Sequence, residues 1–177
     1  YRVGGYRECL ELVGVVERLL GELDRPPHDP HWQRVVHLRV SSHHERGDAA
    51  QTQAWVRRAL ELAAVLLDPE GRAWLLLDAV RVAVQDEHWD RARELMERVR
   101  ATLPDDPPAR LALRAAFAEG HLARGSGDLR AAEAHWREAH ALAREVDDVS
   151  QVGGALRGLG VLHWIVGDVE RARRCYQ

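Results

Sequence analysis

The chain has 177 residues, a formal net charge of −3 and 46% apolar residues. That apolar content can offset ordering entropy and so excludes a disordered chain, while no apolar run reaches the roughly 18–20 residues that span a bilayer. No basic, apolar and small-residue leader pattern is visible, so a cytoplasmic location is expected, and the negative balance disfavours non-specific nucleic-acid binding.

Apolar residues recur at helical spacing throughout, which predicts helices over about 4–23, 30–45, 48–67, 69–85, 88–103, 107–124, 128–146, 149–166 and 168–177. The first contains Gly4-Gly5-Tyr6 followed by Cys9 and Val13. The second starts at Asp29-Pro30, the fourth at Asp68-Pro69 and the sixth at Asp106-Pro107. Aspartate at an N-cap takes free backbone N–H groups, and proline at the first helical position loses no bond. The third, seventh and ninth follow Gly47-Asp48, Gly127-Asp128 and Gly167-Asp168, where glycine ends one helix and aspartate opens the next. Glu87-His88 holds that place before the fifth, and Asp148 with Gln151 forms a capping-box pattern before the eighth.

These turns recur every 40 residues. Thr52, Ala92, Ala132 and Ala172 keep the same register, as do Val56, Met96, Trp136 and Tyr176, and then Ala59, Val99 and Ala139. Gly4-Gly5-Tyr6 is a fifth copy displaced by a three-residue insertion. Repetition of this kind predicts stacked helical hairpins, because one hairpin cannot bury its own apolar face. The units fall at about 1–28, 29–67, 68–105, 106–147 and 148–177. The chain opens on Tyr1 and stops at Gln177 inside a helical pattern, so a segment of a larger protein is expected.

The fourth copy, Leu156…Leu159-Gly160…His163…Gly167-Asp168…Ala172…Tyr176, resembles the tetratricopeptide family. So does the third, with Gly120…Gly127-Asp128…Ala132…Trp136…Ala139, and Pro104 closes the second where the family often has proline. The unit is longer than the family's usual one, and Arg39-Val40 replaces the Leu-Gly pair in the first copy. The resemblance implies an all-α fold, a right-handed α-solenoid of antiparallel helix hairpins with about four and a half repeats. Long units of this type are similar to those in large bacterial signal-transducing ATPases and transcriptional regulators. That implies a non-catalytic interaction scaffold covalently attached to other domains.

In the family the first helix of each pair lines a concave groove. That pattern falls here on Arg34, His37, Ser41 and His44; on Trp74, Leu77, Arg81 and Val84; on Arg114, Phe117, His121 and Arg124; and on Arg157, Val161 and Trp164. The set holds no acidic residue, so an acidic or phosphorylated peptide is the expected partner, with arginine forks and aromatic anchors. A carboxylate clamp of asparagine and lysine is excluded, because the sequence contains neither.

No cofactor, metal site or catalytic set is expected. His28, His31, His43 and His44 lack the spacing of zinc ligands on one helix. His135 and His140 do not share a helical face. Ser41, Ser42, Ser126 and Ser150 sit in no nucleophile motif, and Gly153-Gly154…Gly158-Gly160 lacks the strand and lysine of a phosphate loop. Those glycines are expected to permit close helix packing. Cys9 and Cys175 make no ligand spacing and are expected to be reduced. Two alternatives to the scaffold are a small-molecule effector sensor and a self-association module. Direct contact with nucleic acid or membrane is not expected.

Overall fold

The computed structural model describes residues 3–26 and 29–177. Among these the chain forms nine helices and no strand: α1 Val3–Glu22, α2 Pro30–Glu45, α3 Ala49–Val65, α4 Pro69–Gln85, α5 Trp89–Arg100, α6 Ala109–Gly125, α7 Leu129–Glu145, α8 Val149–Ile165 and α9 Val169–Tyr176.

Six of the starts are fixed by aspartate. Asp29 accepts the His31 N–H at 2.9 Å, and Asp68 accepts the Gly71 N–H at 2.8 Å. Asp48, Asp128, Asp148 and Asp168 accept from Gln51, Ala131, Gln151 and Arg171, each cap worth about 1 kcal/mol. Two starts depart from the pattern. Asp106 does not cap α6, which opens at Ala109 behind Pro108. The reason is the Pro107-Pro108 pair, since a residue before proline is pushed out of the helical region. His88 precedes α5 without a side-chain cap. The Gly4-Gly5 copy is not a turn, because α1 already runs through both residues.

Helices α2, α4, α6 and α8 end alike. Gly47, Gly127 and Gly167 adopt φ of +70°, +83° and +79°, and Glu87 takes φ +58° at the equivalent place. The following N–H groups of Asp48, His88, Asp128 and Asp168 then reach back to the carbonyls of His43, Ala83, Ala123 and His163, satisfying acceptors that the helix leaves free.

Each helix packs on its neighbours in the chain, and α4 also touches α2 and α6. The largest core cluster centres on α4, where Leu75 through Val80 are all buried, and continues into Leu95, Met96 and Val99 of α5. Ala92, Ala132 and Ala172 are buried in α5, α7 and α9. Trp136 of α7 is 1% exposed. A Cβ at Gly120 of α6 or at Gly158 of α8 would come within 2.6 Å of its indole, so the two glycines make room for it. Tyr176 lies on Gly160 in the same way. Forty residues before Trp136 and Gly120, Met96 and Val80 share one core cluster.

Candidate functional site

The side chains that draw α2, α4 and α6 together converge on one carboxylate, Asp78, which is 0% exposed. His37 Nδ1 of α2 lies 2.9 Å from both Asp78 oxygens, and Arg114 Nη2 of α6 donates to Oδ1 at 2.7 Å. An ionised carboxylate only accepts, so the His37 proton sits on Nδ1. Burial, the strongest single influence, pushes the Asp78 carboxyl up. The Arg114 charge and the hydrogen bonds from His37 and Arg114 outweigh it and hold the carboxyl below its usual range.

Trp74, one turn before Asp78, forms the apolar wall of this cluster. The Arg114 guanidinium stacks 4.8 Å from the Trp74 ring centroid, and the His37 ring meets it edge-on at 6.5 Å. Arg81, three residues after Asp78 on the same helix, donates to Ser41 Oγ at 3.2 Å and to Gln85 Oε1 at 3.3 Å. Burial holds the Arg81 guanidinium below its usual range. Burial, followed by the Arg81 charge, does the same to His44.

A second group spans α6 and α8. His121 is pushed down to about 4, first by burial and then by the positive charges of Arg124 and Arg157. Its ring meets Trp136 edge-on, with centroids 5.3 Å apart. No carboxylate answers these charges. The acidic side chain of α6, Glu119, is taken by Arg100 through two contacts of 2.6 Å, and α8 contains no acidic residue.

Of the residues expected to line one face, His37, Trp74, Arg81 and Arg114 therefore gather around Asp78, and His121, Arg124 and Arg157 form a separate cationic group. Leu77 and Val84 are core residues and present nothing to a partner. Phe117 is half-buried between two core clusters, against Gly154. Arg34, Arg157 and Trp164 are exposed. The expected set holds no acidic residue, but Asp78, buried beside it, takes up Arg114 and His37. A lone aspartate inside Trp74-Leu75-Leu76-Leu77-Asp78-Ala79-Val80 had to be buried and therefore paired, and that was its signal in the sequence.

The histidines set aside as metal ligands have other neighbours. His31 Nδ1 lies 2.7 Å from Asp29, and His43 Nδ1 lies 3.5 Å from Asp48. His28 is outside the described residues. Arg39, at the departure from the Leu-Gly pair, bridges three helices. It pairs with Glu17 of α1 at 2.8 Å and stacks 5.4 Å from the Trp55 centroid of α3.

No protein-family model matches the sequence, and no curated protein matches it. Among the described residues no helix is long and apolar enough to cross a membrane. A crystal structure of BtubC (BKLC) from P. vanneervenii is similar over 98% of this chain and 68% of that one, with a TM-score of 0.62 at 21% identity. At that identity the likeness is one of fold alone.

Proposed function

We propose that this chain is a non-catalytic, tetratricopeptide-like scaffold, an α-solenoid of repeated hairpins whose even-numbered helices bind an acidic segment of a partner protein. The observation that carries the reading is the charge on that face. Arg81, Arg124 and Arg157 contribute cations from α4, α6 and α8, while the central carboxylate, Asp78, is fully buried and already takes Arg114. Guanidinium forks such as those of Arg124 and Arg157 suit carboxylate or phosphate groups on an extended chain. The periodic turns support the repeat architecture, and a place within a larger cytoplasmic regulator follows from the family resemblance.

Panning a random peptide library against the wild type and against the folded variant Arg34→Glu/Arg157→Glu tests the reading. Both substituted side chains are exposed, so the fold should survive. Enrichment of acidic peptides by the wild type, lost with the variant, is expected. Peptides without acidic bias, or equal capture by both proteins, would overturn it. A self-association module is the second reading, favoured by the exposed apolar residues Leu12, Val15, Val16 and Leu19 on α1 and Leu23 just beyond its end. A concentration-dependent mass in light scattering would support it.

A further inference from the structure

The cationic group on α6 and α8 is set beside a partly buried histidine, since Gly120 and Gly158, the chain neighbours of His121 and Arg157, both lie against the Trp136 indole. Some exposed arginines are neutralised locally, as Arg58 by Glu61, Arg91 by Glu94, Arg137 by Glu133 and Arg173 by Glu170, whereas others, such as Arg57, Arg98 and Arg144, stand alone on the surface among the described residues. Arg124 and Arg157 have no carboxylate within ion-pair distance among the described residues, and the intervening face offers none. His121 lies one turn before Arg124 on the same side of α6. Its Nδ1 is buried against α7 without a partner, which leaves Nε2 as the nitrogen that a ligand can reach. The site thus presents two unneutralised guanidinium groups and one neutral imidazole donor.

We infer that His121, Arg124 and Arg157 bind a phosphate monoester, the phosphorylated side chain of the partner segment; the inference deepens the acidic-segment reading and rests on it. The match is one of charge and donor number. A phosphoryl group carries about −1.5 to −2 charges and three strong acceptor oxygens, which two arginines and one imidazole N–H can satisfy together. A carboxylate has one charge and would leave one arginine unanswered. The cluster around Asp78 cannot play this part, because its buried carboxylate already takes Arg114 and would repel a dianion.

The test follows the His121 ring by 1H–15N correlation at constant ionic strength, with chloride replacing ligand in the control so that general screening is held fixed. Three probes are used: inorganic phosphate, a phosphoserine peptide and its unphosphorylated counterpart. Phosphate and the phosphopeptide should both shift the ring signals and raise the His121 pKa from about 4, since a bound dianion favours the imidazolium. Arg124→Gln/Arg157→Gln should weaken binding by at least about tenfold while leaving the fold intact. Silent His121 signals with all three probes would overturn the site. A response to phosphate without one to the phosphopeptide would overturn the peptide as its source. Equal responses to the two peptides would overturn phosphate recognition. Any of these failures leaves library enrichment of acidic peptides unaffected, so it is distinguishable from failure of the scaffold reading.

Discussion

Acidification should destabilise this protein well above the range where carboxylates titrate, and His121 is the residue responsible. In the unfolded chain its imidazole takes a proton near the ordinary 6.5, whereas in the folded chain it resists protonation until about 4. A histidine with a depressed folded pKa contributes stability that is present above the unfolded value and lost as pH falls between the two. The linkage gives a loss of about 1.3 kcal/mol between about pH 7.5 and about pH 5.5, growing to about 2.5 kcal/mol near pH 4.5. Urea midpoints across that range for the wild type and for His121→Phe measure it, because phenylalanine keeps an aromatic edge against Trp136 and cannot titrate. Burial also lowers the pKa of His43 and His44, but both remain in the variant and cancel in the difference. Wild-type stability should fall more steeply than the variant's. Parallel curves, separated by a constant offset from about pH 7.5 to about pH 4.5, would refute the assignment.

Further substitutions probe the packing. Asp78→Asn should cost about 3–5 kcal/mol in urea denaturation by stranding Arg114, while Asp78→Leu/Arg114→Met should regain most of it. Gly158→Ala should destabilise by about 1–3 kcal/mol because its methyl would meet the Trp136 indole, whereas Gly153→Ala, exposed on the same helix, should stabilise by about 0.5–1 kcal/mol. Glu87→Gly should raise stability by about 0.5–1 kcal/mol by relieving a left-handed backbone held by a side chain that disfavours it, read as a shift in the thermal midpoint.

The fold was legible because its starts are local chemistry. Asp29, Asp48, Asp68, Asp128, Asp148 and Asp168 cap the helices that their positions predict. The start expected at Asp106 moves to Ala109 because a second proline, Pro108, follows Pro107. The site was legible only as a face. Which of its residues meet depends on packing between helices 36 and 41 positions apart, such as Arg114 and His37 on Asp78, and no local pattern encodes that distance. Leu77 shows the opposite failure. The family pattern puts it in the groove, but the apolar run around it takes it into the core.

Trp136 with Gly120, and Tyr176 with Gly160, tie positions sixteen residues apart into single inherited units of volume. Forty residues earlier the same two positions hold Val80 and Met96, a different division of comparable space. Neither member can drift alone, since a larger residue at 120 demands a smaller one at 136. A genetic crossover inside a hairpin, at the turn near Gly127, would set an indole against valine. One between hairpins, near Pro104–Pro108 or Asp147-Asp148, would carry both members across together. Exchange in such a chain is therefore least disruptive between hairpins, except at Asp147-Asp148, where it would also part Trp136 from Gly158 of α8.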